Sequence, residues 1–288
     1  MSDANQPMQG RVALITGANT GIGLVTAREL CAQGAQVFIA CRSSVAGQAA
    51  VESVRRAVPG PQIELLALDL GDFDSVRECA RTFLARKLPL HLLINNAGLA
   101  GARGLTRSGF ELAFGTNHMG HFLLTQLLLE RIQRSAPSRI VTVASRAHYR
   151  VNASGLNPVF DWQALRQPTR TRTAFAEYGV SKLANVLFSA ELSRRLAGSG
   201  VNTYSLHPGV VASDVWRAVP GPLRWLIKRG MITIEEGALT TLYCTTSPDC
   251  ANETGLYYDK CQARTPSQRG SEAALAAELW RHSEEWAK

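Results

Sequence analysis

The chain has 288 residues, 45% of them apolar, and a formal net charge of +8. This is enough apolar material for a large core and excludes a disordered or fibrous chain. No run approaches the ~20 consecutive apolar residues that span a bilayer, and the polar Met1–Gln9 arm lacks the plan of a secretion signal. A cytoplasmic protein without a transmembrane segment is expected. The positive residues are scattered, with only Arg170–Arg172 and Lys228–Arg229 forming small groups, so nucleic acid is not an expected partner. Six cysteines show no Cys-x-x-Cys pair and no clustering with histidines, so reduced thiols and no metal site are expected. His118, His121 and His207 have no acid to complete a ligand set and are read as core or helix-surface residues.

In chain order, β-rich runs at Val12–Thr16, Gln36–Arg42, Ile63–Leu70, His91–Asn95, Arg139–Ser145, Asn202–His207 and Leu256–Asp259 alternate with helical patterns. The helical stretches are Gly21–Gln33, Val45–Ala57, Asp72–Arg86, Gly109–Gln133, Glu177–Ala197, Glu235–Thr246 and Glu272–Glu284. Several strands are continuously apolar, as when helices cover both faces of a parallel sheet. The expected fold is α/β: one doubly wound domain over 1–288, with a seven-stranded, mostly parallel sheet flanked by helices. Residues 1–9 read as a flexible arm. Two segments break the rhythm, Arg146–Ala176 and Val215–Met231. The second mixes Trp216, Leu223, Trp225 and Ile227 with Arg217, Arg224 and Lys228. It reads as a substrate lid, with plain packing or contact with a membrane surface as alternatives.

Thr16-Gly17-Ala18-Asn19-Thr20-Gly21-Ile22-Gly23 joins the first strand to the first helix. Glycines there allow a sharp turn and close approach of backbone to ligand, and the helix start favours a pyrophosphate. The end of the second strand discriminates between nicotinamide dinucleotides: an acid suits the ribose 2′-hydroxyl of NAD, an arginine the 2′-phosphate of NADP. Cys41-Arg42-Ser43 has no acid, so NADP(H) is expected over NAD(H), unless Arg42 is only a solvated strand end. Asp69-Leu70 reads as part of an adenine pocket and Asn95-Asn96-Ala97-Gly98 as backbone contact to ribose, each with an ordinary strand-end turn as alternative. Tyr178 and Lys182 are four apart in a helical stretch and share one face. A cation beside a phenol favours its ionised form, which suits proton transfer near neutral pH.

The glycine turn, Asn95–Gly98, Ser145, Tyr178 with Lys182, and His207-Pro208-Gly209 occur in the order of the classical short-chain dehydrogenase/reductase family, which this chain resembles from about Gly10 to Asp259. Ala40-Cys41-Arg42, Phe114–Phe122 and Ser181-Lys182-Leu183-Ala184-Asn185 look most like its retinol dehydrogenase group. The resemblance implies a Rossmann-type domain and an NADP-dependent oxidoreductase interconverting an alcohol and an aldehyde or ketone on an apolar, retinoid-like substrate. It implies Tyr178 as general acid or base and Lys182 as the group that lowers its pKa and binds the nicotinamide ribose. Ser145 would stabilise the substrate oxygen, and Asn117 would hold a relay water. Cofactor contacts are implied for Gly17, Asn19, Thr20, Gly21, Ile22, Gly23, Arg42, Asp69, Leu70, Asn95, Ala97 and Gly98. They are also implied for Tyr178, Lys182, Pro208, Gly209, Val211 and Ser213, the last standing where the family often has a threonine. A homodimer or homotetramer is implied as well. A catalytically idle NADPH-binding regulator on the same scaffold is the alternative.

Overall fold

The computed structural model describes residues 6–60, 62–153, 160–211 and 231–288. Its strands are β1 (Val12–Thr16), β2 (Gln36–Cys41), β3 (Ile63–Ala67), β4 (Leu92–Asn95), β5 (Ser138–Val143), β6 (Val201–His207), β7 (Leu256–Asp259) and β8 (Gln262–Arg264). They form one sheet in the order β3-β2-β1-β4-β5-β6-β7-β8. All neighbours are parallel except β7 and β8. The eighth strand corrects the expected count of seven. Its three residues are all exposed, so no buried face marks it in the sequence. The turn before it places Lys260 and Cys261 at positive φ (52° and 58°) without the Asn-Gly pair that usually signals a tight hairpin.

The helices are α1 (Gly21–Ala32), α2 (Ser44–Ala57), α3 (Phe73–Leu84), the single turn α4 (Leu112–Phe114), α5 (Gly120–Arg134), α6 (Ala147–Ala153), α7 (Phe175–Arg195), α8 (Ile234–Thr246) and α9 (Ala273–Trp286). Alternate residues of β1 and β2 enter different cores. Val12, Leu14, Phe38 and Ala40 pack with Phe83 of α3, Phe122 of α5, Phe188 of α7 and Trp280 of α9. Ala13, Ile15, Val37 and Ile39 pack with Leu30 of α1, Val51 of α2 and Cys244 of α8. Both faces of the sheet are therefore covered, which is why these strands read as unbroken apolar runs.

Three local departures bear on function. The expected Gly109–Gln133 helix is interrupted by a π-helical turn at Gly115–Met119 that carries Asn117. β3 and β5 stop at Ala67 and Val143, leaving Asp69 and Ser145 on the loops beyond. The irregular stretch Arg146–Ala176 contains α6 and a 3₁₀ turn at Ala164–Arg166. The proposed lid at 215–231 lies outside the described residues apart from Met231, and so does Ser213.

Candidate active site

The strand order reverses beside β1: β2 lies on one side and β4 on the other. Such a switch opens a crevice at the carboxyl ends of the strands. Here the crevice is a cleft of about 850 Å³. Its floor is tied together by Thr16. The Thr16 hydroxyl accepts from Asn96 N and Ala97 N, both at 3.0 Å, while Asn96 Nδ2 donates to Thr16 O at 2.8 Å. Gly17, at φ 65°, continues from that residue. A Cβ on Gly17 would stand 2.8 Å from Ala97 Cα, and one on Gly23 would stand 2.5 Å from Asn96 Nδ2. Only glycine allows the two strand-end turns this proximity.

Gly17, Asn19, Thr20, Gly21, Ile22 and Gly23 line one end of the cleft with Arg42, Asp69, Leu70, Ala97 and Gly98. Arg42 is exposed, and no carboxylate pairs with it among the described residues. Asp69 is partly committed, accepting from Gly71 N at 2.9 Å. Ser145, Tyr178, Lys182, Pro208, Gly209 and Val211 line the other end. Asn95 is not on the cleft wall. It is completely buried and donates through Nδ2 to Thr125 at 3.1 Å, and the neighbouring Asn96 takes the cleft position. Successive strand residues face opposite sides of a sheet, so the strand register, invisible in the tetrapeptide, decides which asparagine faces the crevice.

Tyr178 lies one turn into α7. The helix entry is fixed by Glu177, which accepts from Arg170 N at 3.1 Å and Thr171 N at 2.8 Å. Tyr178 and Ser145 line the same cleft. Lys182 is buried on the same helical face, with Nζ 2.7 Å from Val143 O and 5.8 Å from the Tyr178 ring centre. Burial pushes the Lys182 ammonium down to about 7. Burial also raises the Tyr178 phenol above its usual range, opposed by the Ser145 side chain. Desolvation, not the lysine charge, is thus the leading influence on the phenol, a reversal of the expectation from spacing alone. The i, i+4 spacing placed the two groups on one face but carried no information about how deeply α7 is buried.

Asn117 stands behind this wall, not on it. Its Oδ1 accepts from Leu99 N at 2.9 Å, and its Nδ2 donates to Leu99 O at 3.0 Å and to Ser181 at 2.9 Å. His121, which the sequence reading placed only as a core or helix-surface residue, connects the two halves. Its Nε2 is 2.8 Å from the Thr16 hydroxyl and its Nδ1 is 2.9 Å from Asn117 O. A carbonyl only accepts, so the ring proton sits on Nδ1 and Nε2 receives the Thr16 hydroxyl proton. Burial holds the imidazole neutral, pushing it down to about 4. His118 points instead into the core, at 3.0 Å from Ser283. His207 borders the cleft, and its buried Nδ1 has no partner among the described residues. The cleft is also lined by Leu99, Leu105, Leu112, Val151, Phe175 and Val210, apolar residues from distant parts of the sequence.

The close glycine cradle and the exposed Arg42, which pairs with no carboxylate among the described residues, fit a dinucleotide lying along the cleft. A short chain dehydrogenase family model matches residues 11–156. Retinol dehydrogenase 12 of Homo sapiens is 44% identical over 279 residues, 96% of this chain and 86% of that protein. Retinol dehydrogenase 11 of Mus musculus is 41% identical over 283 residues, covering 96% and 86%.

The chain belongs to the short-chain dehydrogenase/reductase family.

Within it, the chain falls in the retinol dehydrogenase group. Among solved structures, an uncharacterized protein from Mycobacterium paratuberculosis is 35% identical with a TM-score of 0.74, covering 97% of this chain and 94% of that one. Membership in this short-chain family supports an oxidoreductase acting on CH–OH groups with a nicotinamide cofactor. No described helix is long and apolar enough to cross a membrane.

Proposed function

We propose that the protein is an NADP(H)-dependent oxidoreductase that interconverts an alcohol and an aldehyde or ketone on an apolar, retinoid-like substrate. The observation that carries this reading is the placing of Ser145 and Tyr178, with Lys182 on the same helical face as Tyr178, in the cleft that also holds the glycine turn. When bound, the nicotinamide supplies hydride chemistry. Arg42 binds the 2′-phosphate through a planar fork suited to two hydrogen bonds, and Gly17 to Gly23 bind the pyrophosphate. Asp69, Leu70, Ala97 and Gly98 would border the adenosine, and Pro208, Gly209 and Val211 would border the nicotinamide.

Ser145 donates a hydrogen bond to the substrate oxygen and stabilises charge developing there. Tyr178 delivers a proton to that oxygen during reduction and removes it during oxidation. Because burial raises its pKa, the phenol stays protonated near neutral pH and is ready to act as the acid in carbonyl reduction. Lys182 binds the nicotinamide ribose, and Asn117 keeps the Leu99 loop and Ser181 in register beside it. The apolar wall from Leu99 to Val210 favours a hydrocarbon-rich carbonyl and keeps water from the reacting atoms.

The test is loss of NADPH absorbance with retinal and a series of aliphatic aldehydes and ketones. Wild-type protein should turn over at least one of them. Tyr178→Phe should be slower by at least about 100-fold while binding NADPH as before. Unimpaired turnover by Tyr178→Phe, or NADPH binding without turnover across the panel, rejects the reading. The second outcome is the one an idle regulatory protein gives.

A further inference from the structure

The geometry points to His148 as a positioning residue that holds Ser145 in place by clipping its backbone to the C-terminal segment after β8. The inference rests on the role proposed above for Ser145. His148 is completely buried in α6, three residues beyond Ser145. Its Nδ1 is 2.6 Å from Ser145 O and its Nε2 is 3.1 Å from Ser267 N. A carbonyl can only accept and a backbone N–H can only donate. The ring is therefore neutral, with its proton on Nδ1 and its lone pair toward Ser267. Each nitrogen has one partner, and the two partners are 122 residues apart in the chain.

Ser145 needs such a device because β5 ends at Val143 and the last sheet-like bond of this strand is Ala144 N to Leu206 O, at 2.8 Å. Beyond it, among the described residues the Ser145 carbonyl is held only by His148, through the backbone N at 3.2 Å and the ring at 2.6 Å. The hydroxyl accepts from Ala147 N at 3.2 Å. Tyr257 of β7 packs its ring 4.8 Å from the imidazole and Tyr149 lies 4.1 Å away, so the ring plane is fixed.

The far side of the clip is equally anchored. Ser267 is buried, its hydroxyl accepts from Gly270 N at 3.2 Å, and its carbonyl accepts from Ser271 N at 3.1 Å. Two residues earlier, Thr265 O accepts from the Tyr149 hydroxyl at 2.6 Å. Two adjacent residues of α6 thus latch the same C-terminal stretch, and that stretch becomes part of the support for the serine. A misplacement of the order of 1 Å at a reacting group costs about 100-fold in rate.

The two amide replacements separate the halves of the clip. His148→Asn places its amide nitrogen where Nδ1 lies and keeps the bond to Ser145 O. His148→Gln places its amide oxygen near Nε2 and keeps the bond to Ser267 N. The proposal expects His148→Gln to lose about 10- to 100-fold in kcat with NADPH Kd unchanged. It expects His148→Asn, which keeps the Ser145 side but frees the Ser267 side, to lose less, about three- to tenfold in kcat, at a similar loss of Tm. Equal kcat in both variants, or a loss confined to His148→Asn, overturns the proposal.

Nitrogen NMR of histidine-labelled wild-type protein, which needs no turnover, should show His148 protonated at Nδ1 alone. A proton on Nε2 at neutral pH overturns the clip by itself. Wild type without turnover but with the Nδ1 proton in place defeats the proposed function while leaving the clip standing. Should either amide variant not fold, Tyr149→Phe removes the second latch. A kcat loss of about threefold or more with unchanged NADPH Kd is then expected, and an unchanged kcat overturns the role of the C-terminal segment.

Discussion

At the end of the cleft bordered by Gly17, Gly23 and Arg42, the wall is rich in glycine backbone and carries the exposed Arg42 guanidinium. At the end bordered by Ser145, Tyr178 and Lys182, it is a set of hydrogen-bonded side chains whose protonation is shifted by burial. The first end works by letting a ligand come close. The second works by holding a few atoms where water is scarce. Substitutions at the first should therefore alter how tightly and which dinucleotide is bound, and substitutions at the second should alter how fast bound substrate reacts.

The sharpest way to break that division is Ser145→Ala. Loss of one donor to the developing oxyanion should lower kcat by about 10² to 10³-fold with NADPH KM unchanged. A rise in NADPH KM with intact kcat would place Ser145 in the wrong half. Arg42→Ala should raise NADPH KM by about 10- to 100-fold, the worth of a lost charge-assisted hydrogen bond, and leave NADH kinetics alone. Equal effects on both cofactors would remove the 2′-phosphate from the argument. Gly23→Ala, whose Cβ meets the Asn96 amide, should weaken NADPH binding by about tenfold or more through local overpacking, measured by fluorescence titration.

The smallest expected effect concerns stability rather than rate. The Lys182 ammonium, at about 7 in the folded chain against 10.5 ordinarily, binds a proton more weakly when folded. The unfolded chain therefore holds the extra proton between these values, and stability contributed by this group rises with pH across that window. Denaturant melts at pH 7.5 and 9.5 should show the slope, up to about 1.4 kcal/mol per unit. Lys182→Met should flatten it. An unchanged slope would show that Lys182 keeps its charge in the fold.

The two ends also differ in how far they could be read from sequence. The glycine turn, Arg42 and the strand that precedes each are contiguous, and glycine spacing reports backbone geometry directly. Ser145, Tyr178 and Lys182 were also legible, because strand-end and i, i+4 positions follow from local periodicity. Less legible was anything that depends on register or on distant pairing. Asn95 and Asn96 differ by one position, yet one binds Thr125 in the core and the other spans β1 and β4. His121 looked like a core or helix-surface residue and His148 fell in a stretch that broke the rhythm, since their partners lie at Thr16 and Ser267. β8 carried no signal because none of its residues is buried.

By itself, the sequence determined the alternation of strands and helices, the glycine-rich turn after β1, the absence of an acid after β2, and the family. These are properties of neighbours along the chain, where steric limits on the backbone and a period of two or 3.6 residues act locally. Only the tertiary structure decided which side chains share the cleft wall, that burial governs the Tyr178 phenol, and that the C-terminal segment reaches back to Ser145. Desolvation and hydrogen-bond partnership depend on residues brought together from far apart, and no local pattern encodes that proximity.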